Sequence, residues 1–419
     1  MQVTIHKSEI QGDVHAPSSK SYTIRALMCA ALAKGESYLS NPLSADDTNA
    51  AVRVLRQIGV KIETNKNVWR VGGGVFSQPV EDLFCGDSAA TLRFMTALCA
   101  LVPGKSRLTA GESLSKRPIK TLVEALRRWG VDVSYTNYAP PLNVSGSGLK
   151  GGLTELPGDI SSQYVSALLL LAPRADTAAT IWLTTPLESR SYVEMTLQCL
   201  NKFGIQIAYS DELMEYEIAP QEYKTARYNV EGDWSSSSYL LALGAIAGKL
   251  KVLNLNPLSL QGDKAIVTFL RTMEASVQVA LDSVTVGQNH LKAIRADLNE
   301  SIDLLPTMAA LAAIAEGRSE ITGIQRARLK ESDRVKVLAE ELTKCGIEVI
   351  EEADKLSIVG GRPQAAVVDS HNDHRIAMAM SLVGVAAGGI TIRGAECVTK
   401  TYPEYWDTLR QLGVTIDEQ

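Results

Sequence analysis

A pattern of apolar and polar positions recurs six times along the chain. It has the form Leu-x-x-apolar-Gly-(Val/Ile)-x-(Val/Ile), although one copy has Glu274 where the others have glycine. A helix that presents leucine on one face, ends at a left-handed glycine cap and leads into alternating apolar residues gives this pattern. The sequence therefore predicts a helix followed by a strand at each copy. The copies begin at Leu55, Leu126, Leu200, Leu270, Leu342 and Leu409.

An Ala/Leu-rich segment, which predicts another helix followed by a strand, precedes each copy. Most copies also continue through polar turn residues into a further short strand, which indicates a hairpin. Each unit of about 70 residues then reads helix, strand, helix and two strands, and the strand before it completes a β-α-β-α-β-β repeat. Six repeats predict an α/β fold of two similar domains with three repeats each. The Ala/Leu-rich segments span residues 25–42, 91–111, 163–186, 238–257, 304–324 and 374–395.

Length and composition fit this interpretation and exclude several classes of protein. A chain of 419 residues is long for a single core, and 45% apolar with 21% charged residues is typical of a globular protein. The formal net charge of −5 and the 5% aromatic content argue against a nucleic-acid-binding protein. The N-terminus lacks an apolar signal segment, and the apolar run 165–173 is too short to span a membrane. We therefore expect a soluble cytoplasmic protein without a nucleic-acid or membrane partner.

Cysteine and histidine spacing predicts neither disulfides nor a metal site. The six cysteines form no CxxC pair and lie mostly in apolar segments, which favours reduced, buried thiols. His371 and His374 form an H-x-x-H string, but a metal site would need a third ligand and usually an i, i+4 histidine pair. Arg375 beside His374 favours an anion there instead.

Polar residues gather immediately before the predicted helices. Serine, threonine, aspartate and asparagine in these places are explained as N-caps. Cations also occur in these places and before the second helix of several repeats. Capping does not explain them, because a positive charge at a helix N-terminus opposes the helix macrodipole. A bound anion would offset this cost, since a helix N-terminus is a ready anion site. The sequence thus predicts a shared cleft that binds phosphate and carboxylate groups. Residues that capping does not explain are Lys20, Arg25, Gln163, His374 and Arg375.

Two motifs add carboxylates to these cations. Lys330 and Arg334 lie at i, i+4 with Glu331 between them, which is typical either of a surface ion-pair ladder or of a coupled acid–base pair. Asp303, at the head of an apolar helix, is either an N-cap or a general base whose pKa would be raised by neighbouring bound anions. The residues alone leave both choices open.

Nine strings together resemble those of the EPSP synthase (3-phosphoshikimate 1-carboxyvinyltransferase) family, in the family's order. The resemblance implies the enolpyruvyl transferase fold, an inside-out α/β barrel with two domains of three β-α-β-α-β-β repeats. It implies one domain of residues 17–230, a second of residues 1–16 with 231–419, and an active site in the cleft between them. The strings are PSSKSYTIRAL, CGDSAATLRF, KRPI, ISSQY, ESRSYV, the aspartate before LLP, LKESDR, NDHRIAM and TKTYPEYW.

The resemblance also implies the substrates and their sites. An enolpyruvyl group would pass from phosphoenolpyruvate to the 5-hydroxyl of shikimate 3-phosphate, with release of phosphate, in the shikimate pathway to the aromatic amino acids. Residues that match the family's shikimate 3-phosphate site are Lys20, Ser21, Arg25, Ser161, Ser162, Gln163, Ser189, Tyr192, Asp303 and Lys330. Residues that match its phosphoenolpyruvate site are Lys20, Ala89, Arg117, Gln163, Arg334, Arg375 and Lys400.

Catalytic roles follow from the same resemblance. Asp303 matches the base that accepts the 5-hydroxyl proton, and Glu331, aided by Lys330, matches the group that protonates the methylene carbon. Lys20 and His374 match assisting residues. Neither a cofactor nor a metal is expected, and the protein is expected to be a monomer.

The chain departs from the family at two positions. The family usually has glycine where this chain has Ala89, which predicts a narrower phosphoenolpyruvate subsite and reduced sensitivity to glyphosate. Some members have asparagine where this chain has Arg326, so a substrate contact at Arg326 is not carried over. Two alternatives stay open: an enolpyruvyl transferase for UDP-N-acetylglucosamine, whose loop cysteine is missing from residues 110–120, and a non-catalytic anion-binding protein.

Overall fold

The computed structural model describes residues 1–117, 119–137, 139–146 and 148–419. These residues form two compact units. The N-terminal unit is Ser18–Val230, and the C-terminal unit combines Met1–Pro17 with Glu231–Gln419. No helix in the described ranges is long and apolar enough to cross a membrane.

The first strands and helices of the chain belong mainly to the N-terminal unit. Strands β1 and β2 lie in the C-terminal unit, and β3 to β14 lie in the N-terminal unit with helices α1 to α6. The strands are β1 (Gln2–Ile5), β2 (Ile10–His15), β3 (Gly35–Ser40), β4 (Lys61–Thr64), β5 (Val68–Gly73), β6 (Leu83–Phe84), β7 (Gly104–Thr109), β8 (Asp132–Thr136), β9 (Ala139–Gly146), β10 (Gly152–Leu156), β11 (Ala179–Leu183), β12 (Ala208–Tyr209), β13 (Glu215–Ile218) and β14 (Arg227–Asn229). The helices are α1 (Lys20–Leu32), α2 (Asp46–Gln57), α3 (Ala89–Leu98), α4 (Lys120–Arg128), α5 (Ser162–Leu171) and α6 (Arg190–Lys202).

The remaining elements complete the C-terminal unit. Its further strands are β15 (Gly248–Leu253), β16 (Ser276–Val279), β17 (Ser283–Gly287), β18 (Arg295–Asp297), β19 (Gly317–Thr322), β20 (Glu348–Glu351), β21 (Lys355–Gly360), β22 (Ala366–Asp369), β23 (Ile390–Arg393) and β24 (Ile416–Glu418). Its helices are α7 (Trp234–Ala247), α8 (Ile266–Thr272), α9 (Leu305–Ile314), α10 (Arg334–Lys344), α11 (His374–Ala387) and α12 (Tyr405–Gln411).

Within the described residues, each unit has three four-stranded sheets of one design. An edge strand runs parallel to the second strand, and the third and fourth strands continue antiparallel. The N-terminal unit has the orders β14-β3-β5-β4, β6-β7-β9-β8 and β10-β11-β13-β12. The C-terminal unit has β2-β15-β17-β16, β18-β19-β21-β20 and β22-β23-β1-β24. The predicted α/β fold of two similar halves with three repeats each is confirmed. The described strands form separate open sheets rather than one closed hydrogen-bonded barrel.

Two repeats take their edge strand from a distant part of the chain. The sequence predicts that the strand before each unit completes it, and this holds for β6, β10, β18 and β22. It is wrong for β2, which precedes α1 but pairs with β15 of the C-terminal unit. The edge position beside β3 is taken instead by β14, from the end of the N-terminal unit. Pairing between strands so far apart in sequence leaves no local pattern to read.

The Ala/Leu-rich helices form the cores of both units. All fourteen residues of α7 are buried, and α11 packs against both α7 and α9. In the N-terminal unit α3 packs against α5 and α1. A helix that is apolar on every side must be enclosed, which explains why these segments show no amphipathic period. The six cysteines are buried and form no disulfide, as predicted, and burial raises the pKa of the Cys99 thiol to about 12.

Candidate active site

In the N-terminal unit, the predicted anion ligands cluster around helix N-termini. Serine side chains cap three of these helices: Ser19 accepts from the Tyr22 N–H of α1, Ser88 from the Thr91 N–H of α3, and Ser161 from the Gln163 N–H of α5. These caps explain why the sequence begins helices there. They also place Ala89 and Ser162 as first helical residues, where backbone N–H groups lack intrahelical acceptors.

Lys20 begins α1 and is paired with a carboxylate that sequence analysis did not single out. Its Nζ lies 3.0 Å from Oδ2 of Asp47, which is buried in the first turn of α2. The Asp47 carbonyl also accepts from the Thr91 hydroxyl of α3 at 3.2 Å. The beginnings of α1, α2 and α3 are therefore bonded to one another. Nothing in the sequence separates Asp47 from an ordinary first-turn acid.

Arg25 is buried but has only neutral acceptors. Its Nε donates to Thr196 Oγ1 at 2.8 Å, and its Nη groups donate to the carbonyls of Ser21 and Tyr192 at 3.1 and 3.0 Å. Burial lowers the pKa of the Arg25 guanidinium. Among the described residues Arg25 forms no ion pair, so its charge is left for an anion. Its plane also lies over the Tyr192 ring, at 5.8 Å from the centroid.

Arg93, which the sequence analysis missed, joins two of the predicted ligands. Its Nη1 lies 2.7 Å from Gln163 Oε1 and 3.2 Å from Ser161 Oγ. Its guanidinium also stacks on the Tyr164 ring, at 4.9 Å from the centroid. The string CGDSAATLR contains Arg93, but only the tertiary contact between α3 and α5 reveals its role in orienting the two side chains.

Two further predicted ligands, Arg117 and Ser189, lie on short connections. Arg117 follows a single 3-10 turn, and Asp87 holds that turn through its Oδ1, which accepts from the Leu114 N–H at 3.0 Å. The next residue of the KRPI string, Pro118, lies outside the described residues. Ser189 precedes α6 with a left-handed φ of 54° and is buried. The left-handed conformation costs a non-glycine residue about 1–2 kcal/mol. Strained backbone of this kind is often found at functional sites.

In the C-terminal unit, Arg334 is the hub of a buried charge cluster. Its Nη1 lies 2.9 Å from Asp303 Oδ1, its Nη2 lies 2.7 Å from Glu331 Oε2, and its Nε lies 2.8 Å from Asp373 Oδ2. Nη2 also donates to Asp373 at 3.2 Å. Because a guanidinium has five N–H donors, one on Nη1 is left without an acceptor among the described residues. Asp373 lies within the NDHR string, but its link to Arg334 was not predicted.

Asp303 lies among three cations. Lys330 Nζ and Arg334 Nη1 approach its Oδ1 at 3.3 and 2.9 Å, and Arg375 Nη2 lies 3.7 Å from its Oδ2. Burial alone would raise the pKa of this carboxyl, but Lys330, Arg375 and Arg334 hold it well below its usual range. The sequence predicts a pKa raised by bound anions. The protein's own cations have the opposite effect until anions engage them.

The other charged candidates surround the same hub. Lys400 Nζ lies 3.2 Å from Glu331 Oε1, so Glu331 bridges Lys400 and Arg334. The ion pairs of this cluster join the cations Lys330, Arg334, Arg375 and Lys400 to the carboxylates Asp303, Glu331 and Asp373. Burial lowers the pKa of Lys330, against the pull of Asp303. The carboxylates thus hold the cations in place.

His374 and Arg375 begin α11, capped by Asp373. His374 is buried, with Nδ1 3.7 Å from Asp373 Oδ1, whereas His371 lies on the preceding loop beside Glu341. The two histidines of the H-x-x-H string thus have different partners. Arg326 donates to the Asn299 carbonyl at 2.6 Å. The buried Asp263, also missed from sequence, has a pKa raised to about 6 by burial and by Asp303.

Comparison with known proteins identifies the family. Residues 5–409 match the family model for EPSP synthase (3-phosphoshikimate 1-carboxyvinyltransferase). The chain belongs to the EPSP synthase family. The membership inferred from the nine strings is confirmed. A 3-phosphoshikimate 1-carboxyvinyltransferase of Dehalococcoides mccartyi is 45% identical over 415 residues, which cover 99% of this chain and 98% of that protein. One of Methanothermobacter thermautotrophicus is 39% identical and covers 99% of both chains.

Solved structures agree with this assignment. EPSP synthase from Acinetobacter baumannii has a TM-score of 0.83, with 26% identity and full coverage of both chains. The enolpyruvyl transferase NikO from Streptomyces tendae has a TM-score of 0.80 and covers 100% of this chain and 98% of its own, but at 18% identity it shows the fold alone.

Proposed function

We propose that this chain transfers the enolpyruvyl group of phosphoenolpyruvate to the 5-hydroxyl of shikimate 3-phosphate and releases phosphate. Family membership over nearly the whole chain supports this reaction. The observation that carries it is the cluster in which Asp303 and Glu331 are held by Lys330, Arg334 and Lys400. A pure anion binder has no use for groups that accept and donate protons, whereas the proposed reaction requires both, and Asp303 and Glu331 can supply them.

Shikimate 3-phosphate is assigned mainly to the N-terminal unit. Its phosphate suits Arg25 together with the N-terminus of α5, which contains Ser161, Ser162 and Gln163. Arg93 donates hydrogen bonds to Ser161 and Gln163 there. The neutral acceptors around the buried Arg25 support this role, because they orient its guanidinium group without cancelling the positive charge. Lys20, Ser21, Ser189 and Tyr192 complete this set, and Asp303 and Lys330 supply contacts from the C-terminal unit.

Phosphoenolpyruvate takes the cations drawn from both units. Lys20, Arg117 and Gln163 belong to the N-terminal unit, and Arg334, Arg375 and Lys400 to the C-terminal unit. Two anions in contact repel each other by about 1 kcal/mol per close charge pair in water, and by about 4 kcal/mol at an effective dielectric constant of 20. The cations assigned to phosphoenolpyruvate offset this repulsion.

An addition and an elimination, each with proton transfer, account for the chemistry. Glu331, aided by Lys330, donates a proton to the methylene carbon of phosphoenolpyruvate, and the adjacent carbon becomes electrophilic. The 5-hydroxyl oxygen bonds to that carbon while Asp303 accepts its proton. The methyl group of this adduct then returns a proton to the ionised Glu331 as the bond between carbon and phosphate oxygen breaks, which regenerates the double bond. The leaving phosphate takes up the proton that Asp303 accepted. His374 and Lys20 assist these transfers.

Phosphate release tests the proposal. The protein, incubated with both substrates and EDTA, should release one phosphate for each enolpyruvyl shikimate 3-phosphate formed. Replacing Asp303 by Asn should lower kcat about 10²- to 10⁴-fold, the usual contribution of a general base. Activity with UDP-N-acetylglucosamine instead of shikimate 3-phosphate would favour the related transferase. Substrate binding without release of phosphate would favour a binding protein. The predicted cytoplasmic location and monomeric state stay predictions.

A further inference from the structure

The loop between β22 and α11 is bound to α10 by a charge pair that no step of the proposed reaction uses. Glu341 of α10 is fully buried, and its carboxylate lies 2.7 Å from His371 Nε2 and 3.2 Å from the Asp369 N–H. Lys344 Nζ lies 2.7 and 2.9 Å from its two oxygens. A buried carboxylate needs hydrogen-bond donors, and these three groups supply them. Because a carboxylate only accepts hydrogen bonds, His371 Nε2 carries the proton in this pair.

The same loop has a strained backbone. His371 and Asn372 have left-handed φ values of 51° and 54°. A non-glycine residue in this region is strained and persists only when its surroundings determine it. Ser370 fixes one side of the turn, since its hydroxyl donates to the Gly394 carbonyl at 3.0 Å and its carbonyl accepts from the Asp373 N–H at 2.9 Å. The other side is fixed by the contact between His371 and Glu341.

The turn determines where Asp373 lies. Asp373 is fully buried, caps α11 through the Arg375 N–H, and binds Arg334 through both of its carboxylate oxygens. Arg334 and Glu341 both belong to α10, seven residues and about 10 Å apart along the helix axis and on the same face. Helix α10 and the loop are therefore joined at two points, one within the catalytic cluster and one two turns away.

We propose that Glu341 and His371 are positioning residues for phosphoenolpyruvate. The 2.7 Å contact between them holds the turn at 370–373 in its strained form and thereby fixes Asp373, which orients Arg334 and begins α11 at Arg375. Both residues act through Asp373. The inference rests on the proposed function, because it needs Arg334 and Arg375 to bind phosphoenolpyruvate.

Three substitutions in the turn separate the charge pair from the strain. His371→Gly removes the side chain and suits the left-handed backbone, so a role limited to the turn predicts no loss. His371→Gln retains an N–H donor close to the position of Nε2 and should preserve the contact with Glu341. Asn372→Gly is the matched control, since it relieves the same kind of strain at the next residue. All assays contain EDTA, because Glu340 and Glu341 with His371 place possible metal ligands within 4.8 Å of one another.

The expected result is a selective loss of phosphoenolpyruvate binding. His371→Gly should raise KM for phosphoenolpyruvate about tenfold and change KM for shikimate 3-phosphate less than about twofold, whereas His371→Gln and Asn372→Gly should stay near the wild type. The inference is wrong if His371→Gly matches Asn372→Gly. It is also wrong if both KM values rise together with a lower melting temperature, since that indicates only a loss of stability.

A second variant approaches the pair from α10. Glu341→Gln keeps the size of the side chain but removes its charge, and it should reproduce the selective rise in KM for phosphoenolpyruvate. An unchanged KM in a folded Glu341→Gln protein would contradict the inference. Failure of the proposed function is distinguishable, because it would leave the wild-type protein itself without phosphate release.

Discussion

A single residue can be a poor base or a good one according to what its neighbours bind. Asp303 has its pKa held low by Lys330, Arg375 and Arg334, so its carboxylate is ionised but weakly basic. When phosphate and carboxylate groups of substrates engage those cations, less positive potential remains at Asp303 and its pKa rises. The base would thus gain strength when the reaction needs it, without any change in its own position.

The pH dependence of the melting temperature should reveal the low pKa of Asp303. A carboxyl with a depressed pKa contributes stability above its unfolded value of about 3.9, and this contribution is lost as the pH falls through the folded value. Asp303→Asn should therefore lower the melting temperature at pH 7, and its difference from the wild type should shrink below about pH 4. Melting curves from pH 3 to 8 measure this, with the exposed Asp282→Asn as a control that should change little at any pH. A constant difference across the range would contradict the assignment.

Ala89 offers a second test at the scale of one side chain. It begins α3 and is largely buried, so its methyl group lies beside backbone N–H groups that suit an anion. Glyphosate is longer than phosphoenolpyruvate, so a narrower subsite should exclude it more. A misfit of about one methylene costs roughly 1–3 kcal/mol, and Ala89→Gly should therefore lower the inhibitory concentration of glyphosate by tenfold or more. Equal inhibition of both proteins would show that the methyl group does not limit the subsite.

At the scale of elements, one position shows how each repeat turns from helix to strand. Five copies of the repeated pattern have glycine after the helix, and all five glycines have a left-handed φ, as at Gly59 and Gly346. In the sixth copy Glu274 adopts φ 67° in the same place. The geometry is thus required by the fold, and Glu274 adopts it at a cost that glycine would avoid.

Glu274→Gly should stabilise the protein. Relief of the left-handed strain outweighs the extra entropy of glycine in the unfolded chain, and we expect a gain of about 0.5–1 kcal/mol, seen as a higher midpoint in urea. Glu274 is exposed, so little packing is lost. Gly346→Ala is the reverse control and should lower the midpoint. The idea fails if the two substitutions shift it in the same direction.

The elements that local chemistry determines could be predicted from sequence, and tertiary partners could not. Glycine caps, serine N-caps and apolar helices depend on residues a few positions apart, so their patterns predicted both the repeats and the candidate ligands. Arg93 orients Ser161 and Gln163 from about 70 positions away, and Asp373 reaches Arg334 across two helices. No spacing distinguishes these residues from ordinary capping or surface charges.

At the scale of the whole molecule, the pairing of β14 with β3 completes the sheets of the N-terminal unit. Its sheet β14-β3-β5-β4 is closed by β14, so all three of its described sheets lie within Ser18–Val230. Its core helices also pack on one another. The C-terminal unit, by contrast, needs β1 and β2 from the start of the chain. The N-terminal unit is therefore a contiguous segment that contains every partner its sheets require.

Residues 18–230 should fold alone and bind shikimate 3-phosphate. They hold Arg25 and the α5 N-terminus assigned to its phosphate, but lack Asp303 and Lys330, so binding should be weaker than in the whole protein and no phosphate should be released from phosphoenolpyruvate. Circular dichroism and calorimetry measure folding and binding. A fragment that ends at residue 224 loses β14, exposes one side of β3, and should melt at a lower temperature. Arg25→Met in the longer fragment should abolish binding while folding is retained. A folded fragment that binds equally well with and without Arg25 would remove that residue from the phosphate site.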